Sequence, residues 1–311
     1  MGHDQRFKEF LHAFLRDFLK LFYPRVEKRL EFENVEFLDT EVFTELHDGS
    51  RREADVVAKL RTGDGNPELV LIHVEIQLRP QRDVNERMFE YYALLRLRYK
   101  LPIFPIVVYL RRGRKGLAIE EFRETLFDTE ILRFRYESVQ LARLDAEEYL
   151  EKGGPVGAAL AALMDRSDRS RSPNLESLRV SMLRKVVESA LDRTNQLLLV
   201  DLVETYFPLS AQQRERYQRL VSREENRKVQ DVELTWAEKL MEKGREEGLE
   251  KGREAGLLEG RREALMQLLT AKFGPLSELT TENVQAIDSV NELEDRLRQI
   301  LTATSLAEMG L

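Results

Sequence analysis

The chain has 311 residues and a net charge of −7, with 42% hydrophobic residues, 34% charged residues and no cysteine. This length suggests two globular parts, or one part with an extension, and the charged fraction favours long solvated helices. Without cysteine, a disulfide framework and a thiolate metal site are excluded. The N-terminus lacks the apolar run of a signal peptide, and Leu69–Val74 is far too short to span a bilayer. We therefore expect a soluble cytoplasmic protein without a membrane span.

The first part of the chain combines one helical pattern with three extended ones. Apolar residues recur at helical spacing from Phe7 to about Leu30, and Pro24 interrupts the pattern near its end. Three strands are predicted after it, at Val35–Thr44, Ala54–Leu60 and Leu69–Leu78. The glycine-rich turn at 62–67 favours a hairpin between the last two strands.

A helix and a buried strand complete this part of the chain. The helix covers about Asp83–Tyr99 and ends before Pro102, and the strand is the short apolar run Ile103–Leu110. The order helix, three strands, helix, strand predicts an α/β fold, in which a mixed sheet carries helices on its faces.

The rest of the chain is predicted to be mostly helical. A polar linker at Arg166–Asn174 precedes it, and Ser210–Gln213 and Ser289–Glu292 have the form of capping boxes. Within a charged helix that begins at about Val229, every fourth residue is a glycine: Gly244, Gly248, Gly252, Gly256 and Gly260. Each interior glycine costs about 1 kcal/mol of helix stability relative to alanine. This glycine stripe either lets a second helix approach closely or belongs to a charged spacer, and both interpretations stay open.

Polar residues concentrate on one face of the third predicted strand. Alternate side chains of a strand point to opposite faces, and here one face is apolar while the other ends in His73, Glu75 and Gln77. Buried polar groups are costly unless they are paired or bind a metal. Asp55 also lies among apolar residues, and in the predicted hairpin it can face Glu75. Two carboxylates and a neighbouring carbonyl form an all-oxygen site that suits Mg²⁺ or Mn²⁺.

Simpler interpretations of these residues stay open as well. The two carboxylates would instead form ion pairs if a cation lay close to them, the candidates being Arg52, Lys59 and Arg79. His73 is interpreted as a hydrogen-bonded packing residue rather than a ligand. Glu41 and Glu45 are either further ligands or part of a solvated strand edge.

Several segments resemble the recombination-promoting nuclease and transposase-like group of the PD-(D/E)XK superfamily. They are Glu53–Asp55, His73–Gln77 and Glu86–Tyr92, together with the opening pairs His3-Asp4 and Phe7-Lys8. This resemblance covers about residues 3–150. A second pattern, Leu268–Leu276, is similar to an uncharacterised C-terminal domain that is often joined to these nucleases.

The resemblance implies a restriction-endonuclease-like mixed sheet and assigns roles at the site. Asp55 and Glu75 would bind the metal ion. Gln77 would ligate it or position water, at the place where most of the superfamily has lysine. Arg87 would contact phosphate from the following helix, and Tyr91, one turn later, would border the site.

Glutamine at position 77 leaves the site without its usual ammonium group. Lys59 shares the face of Asp55, but it lies ~13 Å along the strand at ~3.3 Å per residue. A long side chain from the flanking helix can reach the site more easily, so Arg87 is the preferred cation.

Basic residues are also concentrated between Arg96 and Lys115, where seven of them occur without an acidic residue. Such a cluster is typical of a protein that binds a phosphate-rich partner. The candidate phosphate contacts are Arg111, Arg112 and Arg114. A solvated helix end followed by a basic hairpin explains the pattern equally well.

The sequence therefore predicts four segments: a nuclease-like domain at 1–150, a helical extension at 151–228, the glycine-repeat helix at 229–262 and a small helical domain at 263–311. The predicted activity is metal-dependent hydrolysis of DNA phosphodiester bonds by an endonuclease, with a role in promoting recombination. The alternative is a catalytically inactive nuclease fold that binds DNA or acts as a scaffold. We expect homo-oligomers formed through the C-terminal helix, and metal dependence separates the two functions.

Overall fold

The structure is a computed structural model that describes residues 3–38, 54–63, 69–111, 116–165 and 174–311. The chain divides into two compact units, Met1–Trp236 and Ala237–Leu311. The first unit contains the predicted α/β part, the whole of the predicted helical extension at 151–228 and the first residues of the predicted glycine-repeat helix. Its fold positions the candidate site.

Six strands form one mixed sheet in the first unit. They are β1 Leu30–Phe37, β2 Val56–Thr62, β3 Leu69–Gln77, β4 Ile103–Tyr109, β5 Leu117–Leu126 and β6 Thr129–Gln140. The strand order is β1-β2-β3-β4-β6-β5. The β3–β4 and β4–β6 pairs are parallel and the others antiparallel, which confirms the predicted β2–β3 hairpin and the buried fourth strand.

Eight helices lie wholly within the described part of this unit, and a ninth begins in it. They are α1 His3–Phe22, α2 Pro24–Glu27, α3 Val84–Tyr99, α4 Ala146–Lys152, α5 Gly154–Leu160, α6 Leu175–Val187, α7 Arg193–Tyr206, α8 Ala211–Val221 and α9 Arg227–Phe273. The capping box predicted at Ser210–Gln213 is present at the start of α8. It satisfies backbone amides that the first turn leaves without a helical partner.

The two faces of β3 pack against different helices. Ile72, Val74 and Ile76 belong to one large apolar core that includes the buried face of α1 and the helices of the extension. On the other face, α3 packs its buried Met88 and Leu95 against the sheet. The site therefore lies on the α3 face, because His73, Glu75 and Gln77 alternate with the residues of the large core.

Some element boundaries differ from those predicted. The first helix ends at Phe22 and Pro24 begins a separate short helix, because proline cannot donate the backbone hydrogen bond of a continuing helix. β1 begins at Leu30, earlier than the predicted Val35. The predicted end of that strand lies outside the described residues. The β5–β6 hairpin was not predicted at all.

The second unit is helical. It contains α9 from residue 237 onward, α10 Glu278–Ala286 and α11 Val290–Gln299. Leu265 and Leu269 of α9 pack against Val284, Leu293 and Met309 in a small apolar core of its own. The unbroken α9 confirms the single long helix predicted over Val229–Leu269. Within the described parts of the chain, no helix is long and apolar enough to cross a membrane.

Candidate active site

The β2–β3 pairing determines where the two carboxylates lie. Its antiparallel register pairs Val56 with Val74 and Val57 with His73. Because Asp55 comes one residue before β2, the same register places it opposite Glu75, and opposed residues share a face. The Asp55 carboxylate also accepts a hydrogen bond from the Ile76 backbone N–H at 2.7 Å, which holds it beside β3.

Glu75 lies at the centre of a buried polar cluster. Its Oε1 accepts a hydrogen bond from Gln77 Nε2 at 3.2 Å and lies 3.6 Å from Arg87 Nε. Its Oε2 is 3.8 Å from His73 Nε2 and forms no hydrogen bond with any described residue. One oxygen of a buried carboxylate is thus left without a hydrogen-bond donor, an arrangement that favours binding of a cation.

The two carboxylates influence each other electrostatically. Burial and, after it, the negative charge of Glu75 raise the pKa of Asp55 to about 6, although the Ile76 N–H and Lys8 act in the opposite direction. Neighbouring buried carboxylates oppose each other's ionisation unless a cation lies between them. A divalent ion would relieve this repulsion.

The raised pKa of Asp55 predicts a pH-dependent stability. Between its unfolded value of about 4 and its folded value of about 6, the folded protein binds more protons than the unfolded chain. Its free energy of unfolding should therefore fall as the pH rises through this window, by on the order of 2 kcal/mol for this group. Urea unfolding in the presence of a chelator, for wild type and Asp55→Asn, would measure the difference. Two parallel pH curves would contradict the prediction.

The helix α3 brings two predicted residues to the site. Arg87 reaches Glu75, and its Nη1 also lies 3.0 Å from Asp83 Oδ2 in the first turn of the helix. Tyr91 is buried one turn later, with its ring edge-on to the ring of His73 at 5.5 Å between centroids. His73 thus packs against Tyr91 as predicted, but the hydrogen bond that was predicted for it is absent among the described residues. Both of its ring nitrogens are buried without a hydrogen bond to the described residues.

The second half of the basic cluster, residues 111–115 (the basic segment), begins beside the carboxyl end of β3. The Leu110 N–H donates to the Gln77 carbonyl at 2.8 Å, and the Arg111 N–H donates to the Leu78 carbonyl at 2.9 Å. Because β3 and β4 are parallel, their carboxyl ends share one edge of the sheet. Arg111 therefore lies at the same edge of the sheet as Gln77. Arg112 and Arg114 lie outside the described residues.

Lys8 is the residue of the site that the chemical argument from the sequence missed. Its Nζ lies 3.0 Å from Asp55 Oδ1, and the two side chains are 21% and 14% exposed. Lys59 points elsewhere and pairs with Glu36 Oε2 at 2.8 Å. Only the resemblance of Phe7-Lys8 to the opening motif of the nuclease group drew attention to this position.

The ion-pair interpretation is therefore met by partners other than those predicted. Asp55 pairs with Lys8, and Glu75 lies within ion-pair distance of Arg87. Arg52 lies outside the described residues, as do Glu41 and Glu45. These ion pairs are compatible with a metal site, because a carboxylate that pairs with a basic side chain in the metal-free protein can bind a metal ion in its place.

The residues present fit a Mg²⁺ or Mn²⁺ ion with two carboxylate ligands. The described residues contain no cluster of three or more histidine, aspartate or glutamate side chains that could hold a metal. Mg²⁺, however, is commonly held by one or two carboxylates while water completes its coordination. The buried Glu75 Oε2, which lacks a hydrogen bond, and the repulsion between Glu75 and Asp55 both support such a site.

Comparison with known proteins adds no assignment: no protein-family model, curated protein or solved structure matches the chain. The chemistry of the site is therefore inferred from its geometry. That geometry joins the buried Glu75, the partly buried Asp55, an amide, two cations and the start of a basic segment at one end of a hairpin.

Proposed function

We propose that the first unit is a restriction-endonuclease-like domain that hydrolyses DNA phosphodiester bonds with Mg²⁺ or Mn²⁺. The observation that carries this proposal is the placement of Asp55 opposite Glu75, whose Oε2 is buried without a hydrogen bond to the described residues. A structural ion-pair cluster would be expected to satisfy both oxygens of a buried carboxylate. Here an acceptor remains, and the neighbouring acid has a raised pKa.

Each side chain has a role that its position allows. Asp55 and Glu75 would hold the ion, which supplies a water of lowered pKa and positive charge for the phosphate. The Gln77 amide nitrogen is directed at Glu75, which leaves the amide oxygen to orient water. The Arg87 guanidinium, at the mouth of the site and 17% exposed, would donate hydrogen bonds to a phosphate oxygen.

The experiment that tests the activity is incubation of purified protein with supercoiled plasmid DNA. We expect nicked and linear products with Mg²⁺ or Mn²⁺ and none with a chelator. A protein that binds DNA but leaves it intact with either metal would contradict the proposal. It would favour the alternative of an inactive DNA-binding fold.

We further propose that the basic segment after β4 contacts the DNA backbone. Its first residue, Arg111, is positioned by the backbone hydrogen bond to Leu78 at the same sheet edge as Gln77. A duplex with one phosphate at the metal would then extend along this edge. Such contacts carry little sequence information, because phosphates are alike at every base pair.

This placement predicts the salt dependence of DNA binding. Each phosphate contact contributes about −0.9 to the slope of log affinity against log salt concentration. Replacing Arg111, Arg112 and Arg114 by alanine should therefore flatten the slope by about 2 to 3. A matched control removes three exposed cations from elsewhere in the unit: Arg25, Lys28 and Lys152. Equal slopes for the basic-segment variant and wild type, measured by fluorescence anisotropy, would show that the segment is only a solvated surface.

A specific feature of α9 favours a scaffolding function as the second candidate. Among the described residues, a Cβ atom built on any glycine of the stripe would meet nothing within 4 Å beyond the helix's own backbone. The stripe is thus open on the surface of the single chain. We propose that a second copy of the helix covers it, so that the protein is a homo-oligomer. This assembly is compatible with either function.

A further inference from the structure

The ammonium that is missing at position 77 has a counterpart on α1. Lys8 Nζ lies 3.0 Å from Asp55 Oδ1. Packing of α1 holds Lys8 at this position, because Phe7 and Leu11 on the same helix are completely buried in the large core. An ion pair between Arg6 and Asp201 at 3.1 Å adds a link from α1 to α7. Two elements distant in sequence are therefore held so that a lysine faces the first carboxylate of the site.

Lys8 and a metal ion would compete for the same oxygen. Asp55 Oδ2 accepts the Ile76 N–H at 2.7 Å, whereas Oδ1 faces Lys8. A divalent ion bound between Asp55 and Glu75 would take Oδ1 most easily. An ammonium at hydrogen-bond distance from that oxygen would then repel the ion strongly, because like charges at such a short distance are only weakly screened in a partly buried site. Lys8 must leave Asp55 when a metal binds.

The structure offers a place for the displaced ammonium. A cleft of about 680 Å³ lies beside Asp55 and is lined by Gln5, Lys8, Glu9 and His12 among others. Burial and the nearby Lys8 lower the pKa of His12, so its ring is neutral near pH 7. Among the described residues that line this cleft, Lys8 is thus the one with a positively charged side chain. Glu9 and Asp55 also line the cleft, so a negatively charged ligand would need both Lys8 and the metal ion to offset these two acids.

We propose that Lys8 is an exchanging cation, which neutralises Asp55 in the metal-free protein and moves to a phosphate of the DNA substrate when a metal binds. The phosphate contact in this inference rests on the proposed nuclease function. The exchange at Asp55 does not depend on that function. The metal ion would replace Lys8 as the partner of Asp55, and the phosphate would replace Asp55 as the partner of Lys8. Lys8 would thereby supply the charge that Gln77 lacks, from a different element of the fold.

Direct metal binding tests the exchange without catalysis. Lys8→Met removes the charge with little change of length, Lys8→Arg retains it, and Lys20→Met on an exposed part of the same helix is the matched control. Mn²⁺ binding is measured by titration, with free Mn²⁺ followed by its electron paramagnetic resonance. We expect Lys8→Met to bind Mn²⁺ at least about tenfold more tightly than wild type. Lys8→Arg and Lys20→Met should bind as wild type does. Equal or weaker binding by Lys8→Met would overturn the exchange.

Plasmid cleavage tests the phosphate contact with the same variants. Lys8→Met should cut DNA about 10²-fold more slowly at saturating metal, because a charged group on the phosphate is lost. A purely structural ion pair would not produce tighter metal binding together with slower cutting. Undiminished cutting by Lys8→Met would overturn the phosphate contact. If wild type binds Mn²⁺ but never cuts, the nuclease proposal fails, whereas tighter binding by Lys8→Met would still support the exchange.

A measurement on the wild-type protein avoids any effect of substitution on folding. Mn²⁺ should increase the rate at which an amine-reactive reagent labels Lys8, measured by mass spectrometry, because the ammonium leaves Asp55. Labelling of Lys20 should not change. A Lys8 labelling rate that is the same with and without Mn²⁺ would overturn the exchange.

Discussion

Asp55→Asn and Glu75→Gln are each expected to lower the rate of metal-dependent DNA cleavage by about 10³-fold or more, which corresponds to about 4 kcal/mol of transition-state stabilisation. Each substitution would remove one of the two proposed anionic metal ligands while it keeps the shape of the side chain. The asparagine can still accept the Ile76 N–H, and the glutamine can still accept from Gln77. The loss would therefore come from weaker metal binding rather than from a disturbed hairpin.

The folded state should tolerate both substitutions. The ionised Asp55 is costly in the folded protein, because burial and Glu75 oppose its charge. Asp55→Asn is therefore expected to unfold at the same or a higher urea concentration than wild type at pH 7.5 in a chelator. A variant that is inactive and also destabilised would point to a structural role of the ion pair with Lys8.

Single-turnover cleavage of a labelled duplex, together with Mn²⁺ binding, is the measurement. Glu148→Gln is a suitable control, because it changes an exposed carboxylate of α4 that pairs only with Lys152 among the described residues. It should cut DNA and bind Mn²⁺ as wild type does. Cleavage by Asp55→Asn or Glu75→Gln at the wild-type rate would mean that these carboxylates are not the metal ligands, or that a contaminating nuclease cuts the DNA.

The strands that carry the site were predictable because their polar and apolar residues follow the strand period. In β3, Ile72 and Val74 alternate with His73 and Glu75, and the structure places the two sets on opposite faces. The glycine-rich sequence at 62–67 predicted the hairpin, and the antiparallel register of β2 and β3 places Asp55 opposite Glu75. Local patterns were enough here, because neighbouring strands in sequence are also neighbours in the sheet.

The β5–β6 hairpin shows where local patterns fail. β5 contains Glu120, Glu121, Arg123 and Glu124, a run of charges that does not suggest a strand. Its stability comes from tertiary contacts: Phe122 stacks on Phe89 of α3 at 5.5 Å between ring centroids. Contacts of this kind override strand propensity, and they become visible only when the helix and the sheet are assembled.

Lys8 escaped prediction for a related reason. Sequence spacing relates residues on one helix or one hairpin, but Lys8 and Asp55 belong to α1 and to the start of β2. Their contact depends on how the phenylalanine-rich face of α1 packs on the sheet. Sequence spacing relates Arg87 of α3 to Glu75, but it cannot relate Lys8 to Asp55, with which Lys8 pairs at 3.0 Å.

The glycine stripe of α9 predicts a change of molecular mass. We expect the wild-type protein to be a dimer or larger at micromolar concentration, and Gly248→Leu/Gly252→Leu/Gly256→Leu to be a monomer, as measured by light scattering. The single chain has room at these positions, since no described residue other than the helix's own backbone lies within 4 Å of an added Cβ atom. If the leucine variant does not assemble, the cause would therefore be a clash with a closely approaching partner helix and not a clash within the single chain.

Alanine at the same three positions separates an interface from a spacer. Alanine favours an isolated helix over glycine by about 1 kcal/mol per residue. In a spacer, the alanine variant would thus raise helicity and leave the mass unchanged. In a close helix–helix interface, the three methyl groups would push the backbones apart and weaken association, even though each helix is more stable. Glu246, Glu250 and Glu254 have the same spacing on the opposite side of α9 and are exposed, so their alanine variant is the control. Dissociation by the glycine substitutions but not by this control would support assembly through the stripe, whereas a monomeric wild type would contradict it.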